Sequence, residues 1–301
     1  MKNYQCVIIG AGVAGMTAAI YLQRMNINIL LLEQETPGGQ IINSPLIENY
    51  PGFTKISGAQ LAINIQEQIK TLEIPCKYGK VINISKDANK KIITTDQEKI
   101  TCEFVILATG RKPKKLNITN EDKLLGHGIS YCAICDGAFY KGKDVTIVGG
   151  GNSALEESLF LSKICKSVTI VNRSNQLKGE SILIKRINES NNIKIKNNSI
   201  IKKIVDKNNR LYYIELDNTE KIYTSGLFIC IGLIPDIQYT ENLKISAKNK
   251  YILVNKNMQT NIEHIYACGD IISKDIYQIV TATGEAAIAA INIAKRIQKK
   301  E

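Results

Sequence analysis

The chain has 301 residues, 44% of them hydrophobic and 22% charged. That is an ordinary globular mixture, which excludes disordered and fibrous classes and leaves room for two domains of about 100–200 residues each. Eight cysteines, two histidines and a net charge of +11 exclude a disulfide scaffold and nearly exclude a multi-histidine metal site, and they make nucleic acid a partner to be weighed.

The apolar run that begins at Cys6 has the look of a secretion signal. Its positive flank is weak, glycines interrupt it and domain-like patterning follows, so it reads as the start of a folded domain. No uninterrupted apolar stretch reaches the ~18 residues of a membrane span. The expectation is a soluble cytoplasmic protein with mostly free thiols and no membrane association. The apolar pattern then predicts a strand over Cys6–Ile9, a glycine turn, a helix over Ala14–Met25 and a strand over Ile27–Leu32. Strand-like segments follow at Val81–Ile84, Lys91–Thr94 and Phe104–Ala108. The first grammar then returns: strand Val145–Val148, turn Gly149–Gly151, helix Ser153–Ile164, strand Val168–Val171. Further strands are expected at Ile193–Ile195, Tyr212–Leu216 and Leu227–Ile231, and a last alanine-rich helix at Val280–Ile297. Polar, turn-forming connectors surround Pro113 and Pro235. The expected fold is α/β, with two Rossmann-like dinucleotide-binding domains, the second inserted into the first. The first would comprise residues 1–112 and 240–301, the second residues 113–239.

Each glycine cluster carries a physical reason. In GAGVAG, Gly10 permits the tight turn, Gly12 lets the backbone approach a pyrophosphate, and Gly15 lets the helix pack close to the sheet. The helix start presents N–H groups and roughly half a positive charge to phosphates. Glu33, ~20 residues on, is placed to accept ribose hydroxyls. In GGGNSA, Gly149 and Gly151 repeat the pattern, with Ala154 at the tolerant third position. The strand after it ends in Asn172 and Arg173, with Lys178 nearby and no acid. Cations there attract a 2′-phosphate, so the second site leans to NADPH over NADH; the competing reading makes Arg173 a solvated surface charge. Two dinucleotide sites in one chain point to electron transfer between a flavin and a nicotinamide.

Between the two fingerprints lies Cys132-Ala133-Ile134-Cys135-Asp136. This spacing suits a redox disulfide in which one thiol stabilises the other's thiolate, with Asp136 as proton donor and acceptor. A zinc half-site needs a second pair, and Cys165, Cys230 and Cys268 stand alone. A thioredoxin-type motif belongs to a smaller fold, and unreactive core cysteines would not explain the setting between two nucleotide motifs. Cys6, Cys76, Cys102, Cys165, Cys230 and Cys268 are expected to be small buried hydrophobes. His127 is read as a structural loop residue and His264 as a surface residue.

The order GAGVAG, PGGQ (Pro37 to Gln40), ENYPGF (Glu48 to Phe53), ATG (Ala108 to Gly110), CAICDG, GGGNSALEE, ACGD (Ala267 to Asp270) and QIVTATG (Gln278 to Gly284) resembles the low-molecular-weight bacterial thioredoxin reductases nearly end to end. The specific part is CxxCDG immediately before the second fingerprint. The resemblance implies that Gly10, Gly12, Gly15 and Glu33 hold the adenosine and pyrophosphate of FAD, while Gly38, Gly39, Gln40 and Asn49 line its flavin side. It implies that Asp270 bonds the ribitol and that the backbone at Gln278 and Ile279 approaches the isoalloxazine. Gly149, Gly151, Asn152, Ser153 and Ala154 would carry the phosphates of NADPH. Cys135 would take electrons from the flavin, and Cys132 would attack the disulfide of thioredoxin. A homodimer is implied, with a second domain that rotates about the two proline-containing connectors.

One stretch departs from that pattern. The family usually shows a His-Arg-Arg run and a later Arg around the 2′-phosphate; here stand Asn172, Arg173, Ser174 and Lys178. Lysine keeps the charge but loses the planar fork. The altered stretch keeps a second donor reading open: NADH, reduced ferredoxin or a deazaflavin. Tyr277, where some members carry Arg, is a smaller departure. The excess lysines form no aromatic-interleaved stripe, so nucleic acid is not the expected partner; their charge would suit an acidic thioredoxin.

Overall fold

A computed structural model describes residues 2–44, 46–87 and 90–299. It divides into two compact units, residues 1–112 with 235–301 and residues 113–234. The second stretch of the first unit starts at Pro235, earlier than the 240 read from sequence, because Ile237 and Tyr239 already pack on that unit's core.

In the first unit, β1 (Lys2–Ile9) is apolar on both faces over Cys6–Ile9, as suits a central parallel strand. It leads through Gly10, whose φ of 101° favours glycine, into α1 (Val13–Arg24). The helix stops at Met25, where Asn26 turns left-handed at φ 57°. The next strand, β2 (Ile29–Glu33), therefore begins two residues later than expected and includes Glu33. A helix that the sequence reading did not include, α2 (Gly58–Thr71), follows, with the Ser57 hydroxyl accepting from the Gln60 N–H at 3.2 Å. Then come β3 (Cys76–Tyr78), β4 (Val81–Asp87), β5 (Lys90–Thr95), β6 (Lys99–Leu107) and β7 (Arg111–Pro113).

The second unit opens with β8 (Ile129–Ser130) and the short α3 (Ala133–Asp136). Its nucleotide-type module is β9 (Asp144–Val148), α4 (Asn152–Ser162) and β10 (Ser167–Val171), continued by α5 (Ser181–Asn188) and β11 (Ile193–Lys196). An antiparallel meander follows, β12 (Ile201–Lys207), β13 (Arg210–Leu216) and β14 (Lys221–Tyr223), before β15 (Gly226–Ile229) and β16 (Leu233–Pro235). The main sheet of this unit is parallel, in the order β11-β10-β9-β15-β8. Val145 and Ile147 face Ala133, Ala154 and Leu161 on one side, while the meander covers the other with Ile201, Ile204 and Ile214.

The return stretch adds β17 (Ala247–Lys248), β18 (Tyr251–Ile252), β19 (Ile265–Ala267) and α6 (Ile279–Gln298). The seven-stranded sheet of the first unit runs β3-β2-β1-β6-β5-β4, with β19 also beside β6. β6 serves both neighbours by length: Lys99–Cys102 pair with β5 and Val105–Leu107 with β19. One sheet face is covered by α1 and α6, whose Ala14, Ala18, Ala19, Ala286, Ala289 and Ala290 share one core. Small residues on both helices permit this close approach. Leu22 anchors the contact fully buried, and its truncation to Ala should cost about 3 kcal/mol.

Two expectations about single residues are corrected by this packing. Cys76 is exposed and Cys230 only half-buried, because β3 is an edge strand and Cys230 lies just past the end of β15. His264 is not a surface residue: it is half-buried, with its ring 4.5 Å from that of Phe104. Cys6, Cys102, Cys165 and Cys268 are buried; burial pushes the Cys102 thiol up to about 12 and the Cys6 and Cys268 thiols up as well.

Candidate functional site

The cradle of the first unit is built from backbone. A Cβ at Gly10 would lie 2.5 Å from the Ala108 carbonyl oxygen, and one at Gly15 only 1.7 Å from that of Gly10. At Gly12 the nearest atom to an added Cβ is Gly39 Cα at 3.9 Å, so the peptide there lies open, as an approaching phosphate requires. Gly38 (φ 124°) and Gly39 (φ 60°) fold against it, and the Gly38 N–H donates to Ala11 O at 2.8 Å. Glu33 organises the rim: its Oε2 accepts the Ala11 N–H at 2.6 Å, and its Oε1 accepts those of Gln34 and Glu35 at 2.8 Å each.

A polar cluster faces the same unit's ATG and ACGD turns. Asp270 Oδ2 accepts from Arg111 Nη2 at 2.5 Å, and Lys274 stands 3.8 Å from Oδ1. Arg111 lies over the Tyr277 ring at 4.2 Å. Lys274 donates to Glu285, which also accepts the Gly269 N–H at 2.9 Å. Gln40 Nε2 donates to Arg111 O at 3.3 Å, and Asn49 Nδ2 donates to Gln278 Oε1 at 3.3 Å. Gln278 caps α6, which begins at Ile279. Arg111 Nε is buried without a hydrogen-bond partner among the described residues. Such an orphan donor, on the residue after Gly110, where an added Cβ would meet nothing within 4 Å, suits an anionic ligand with many oxygens.

The second unit repeats the cradle with different fittings. Gly149 has φ 142°, and a Cβ there would lie 2.2 Å from Cys230 O. Nothing lies within 4 Å of a Cβ added at Gly151. Asn152 and Ser153 start α4, and Ala154 is fully buried beneath the turn. Asn152 and Glu180 are tied twice, by Nδ2 to Oε1 at 2.9 Å and by N–H of Glu180 to Oδ1 at 2.7 Å. Asn172 is only 4% exposed. Its Nδ2 donates to Ser174 O, Gln176 O and Asn197 Oδ1 at 3.1, 3.0 and 2.9 Å. It therefore pins its own loop. Arg173 and Lys178 are exposed.

Cys132 and Cys135 form a disulfide, with Cα atoms 5.4 Å apart. Cys132 is the N-cap of α3, and the Cys135 N–H donates to its Sγ at 3.1 Å. A thiolate left on Cys132 by reduction would keep that donor and the positive end of the turn. Ser130 clamps the cap from behind: its Oγ accepts the Cys132 N–H at 3.0 Å and donates to Cys132 O at 3.1 Å. Cys132 is half-buried and Cys135 exposed, with Asp136 half-buried next in the chain. Beneath α3, Glu157 Oε2 accepts from the Ala133 N–H at 3.3 Å and from the Cys230 thiol at 3.2 Å. Burial pushes the Glu157 carboxyl up to about 7.

Sequence reasoning passed over Arg111, Lys274, Glu285, Ser130 and Glu157. A signal existed for two of them: Arg111 follows ATG directly, and Glu157 is the second acid of GGGNSALEE. No cluster of three or more candidate metal ligands occurs among the described residues. None of the described helices is long and apolar enough to cross a membrane.

Comparison with known proteins adds four findings. A family model described as pyridine nucleotide-disulphide oxidoreductase matches residues 4–286. The chain is 39% identical to the thioredoxin reductase of Bacillus subtilis (strain 168) over 303 aligned positions, covering 99% of this chain and 96% of that one. Among solved structures it is similar to a thioredoxin reductase from Lactococcus lactis, with a TM-score of 0.94, 36% identity and coverage of 98% and 99%. It is also similar to a ferredoxin-flavin thioredoxin reductase from Clostridium acetobutylicum, with a TM-score of 0.57, 30% identity and 99% coverage of both chains.

Proposed function

The chain belongs to the pyridine nucleotide-disulphide oxidoreductase family, and from that we propose that it is a flavin-dependent thioredoxin-disulfide reductase, with FAD held by the first unit and NADPH by the second. The observation that carries this reading is a disulfide capping a short helix in the same unit as one nucleotide cradle, with a second cradle in the other unit. Gly10, Gly12, Gly15 and Glu33 would hold the adenosine end of FAD. Gly38, Gly39, Gln40, Asn49, Asp270, Gln278 and Ile279 would hold its ribityl and ring end, with Arg111 supplying a further cation. Gly149, Gly151, Asn152, Ser153 and Ala154 would take the pyrophosphate of NADPH, with Arg173 and Lys178 beside its 2′-phosphate. When bound, the flavin supplies two electrons to the disulfide.

The residues of the chain do the remaining work. The Cys132 thiolate, held by the Cys135 amide, attacks one sulfur of the thioredoxin disulfide and forms a mixed disulfide, expelling a thioredoxin thiolate that takes a proton. The Cys135 thiolate then attacks Cys132 Sγ. The Cys132–Cys135 bond re-forms, and the second thioredoxin thiolate leaves and is protonated. Asp136, next to Cys135, is placed to hold or release those protons. A homodimer in the cytoplasm is the setting this reading implies. Purified protein should be yellow and should reduce thioredoxin with NADPH; a colourless protein that takes up no FAD would overturn the reading.

A second donor reading has its own support. Asn172 is buried and bonded within its loop, which leaves one arginine and one lysine at the 2′-phosphate position. Anaerobic stopped-flow bleaching with NADPH, NADH, reduced ferredoxin and a reduced deazaflavin separates the donors. Bleaching by NADPH supports the first reading, and bleaching by another donor alone supports the second.

A further inference from the structure

We propose that Glu157 is a positioning residue of the redox pair: it holds the helix carrying that pair through the Ala133 amide, and by its own charge it sets how readily the reduced cysteines ionise. The inference deepens the reading of Cys132 and Cys135 as the reactive dithiol. It rests on a geometry confined to the second unit. α4 places Glu157 under α3, 8% exposed, with Oε2 shared between the first backbone N–H of that helix and the Cys230 thiol. The Ala133 amide is one peptide bond from Cys132. The short helix has few N–H groups to offer an anion, and one of them is already committed to a carboxylate.

Two anions cannot both be stabilised cheaply at one helix start in a poorly solvated setting. An ionised Glu157 therefore opposes a thiolate on the pair, and a protonated one permits it. The groups facing Glu157 fix the direction of its own titration. Burial and the neighbouring Glu156 raise its carboxyl, while the Cys230 thiol and the Ala133 amide lower it. Cys230 is itself pushed far up by burial and by Glu157, so it stays a thiol and a donor. On α3 the remaining titratable neighbours are Cys132, Cys135 and Asp136, with Tyr140 on the following turn. Glu157 thus changes charge near neutral pH within a hydrogen bond of the redox helix, and Cys230 biases that change.

The test uses the full-length flavoprotein reduced with dithiothreitol, so it needs neither a nucleotide nor thioredoxin and separates this inference from the donor and partner readings. Iodoacetamide alkylation of Cys132 and Cys135 is followed by peptide mass spectrometry from pH 5 to 9. In Glu157→Gln the alkylation midpoint of the more reactive thiol should fall by about one pH unit, with a roughly tenfold faster reaction just above pH 7, where the parent Glu157 is ionised, and no difference at pH 5, where it is protonated. Cys230→Ala removes a donor that keeps Glu157 ionised, so it should speed alkylation at pH 7 several-fold and leave the rate at pH 9 unchanged. A purely structural Glu157 would alter stability and leave both profiles in place. Unchanged midpoints in Glu157→Gln overturn the proposal, and if that variant does not fold, an unchanged pH 7 rate in Cys230→Ala does so.

Discussion

The two strand–turn–helix cradles share a motif and differ in what closes their second strand. In the first, Glu33 points its carboxylate at three backbone N–H groups and stiffens the rim from outside the turn. In the second, Asn172 lies under the turn, where a Cβ on Gly150 would meet its Oδ1 at 2.6 Å, and its amide feeds three acceptors. The helices also sit differently. Gly15 has no room for a methyl group against Gly10 O, whereas Ala154 occupies the corresponding place fully buried. The same six-residue pattern thus tolerates a bulkier third position and a neutral second strand end when the strand–helix spacing and the adjoining loop change. A fingerprint specifies the turn; its neighbours specify the ligand.

The sharpest separation of cradles from chemistry is Cys135→Ser. It should lower thioredoxin reduction by roughly 10³-fold or more while flavin content and nucleotide-to-flavin transfer persist; continued turnover would refute the assignment of the pair. The cradles themselves separate next. Gly15→Ala drives a methyl into a carbonyl and should cost about 3 kcal/mol with loss of bound flavin. Ala154→Gly, the reciprocal change, should cost only about 1 kcal/mol and leave flavin in place. Denaturant titration with flavin absorbance reads both, and equal costs would break the comparison. Asn172→Asp sets a carboxylate against three oxygens in a buried loop and should lose about 3 kcal/mol; a variant as stable as the parent would show that the loop is held otherwise.

A last separation is a pH dependence confined to the second unit. The Glu157 carboxyl is raised from 4.5 to about 7 by burial. The native chain therefore keeps a proton that the unfolded chain has already lost, and stability falls as pH rises from about 4.5 to 7, then levels off. Glu157→Gln removes that trend, so the stability difference between variant and parent should change by about 3 kcal/mol across the interval. A difference that stays constant with pH would place the titration elsewhere.

Much of the α/β fold was legible in the chain. Parallel strands such as Cys6–Ile9 and Phe104–Leu107 are continuous apolar runs, and glycine is required wherever φ is positive beside a crowded carbonyl, as at Gly10 and Gly149. Helix α2 was missed because it opens on glycine and its apolar residues are diluted by Gln and Asn. The exposure of Cys76 and the half-burial of His264 escaped for a related reason: both depend on which strand lies at an edge and which ring lies opposite.

By itself, the sequence determined what is local: two glycine turns at strand ends, a cysteine pair at disulfide spacing and an apolar pattern that requires strands between helices. These follow from backbone sterics and short-range geometry, which act over a few residues. Only the tertiary structure decided that Arg111 meets Asp270 across 159 positions, that Asn172 turns into its loop, and that Glu157 lies beneath the redox helix. Those pairings arise because burial leaves each polar group to find a partner wherever packing happens to bring one, and sequence distance does not enter that requirement.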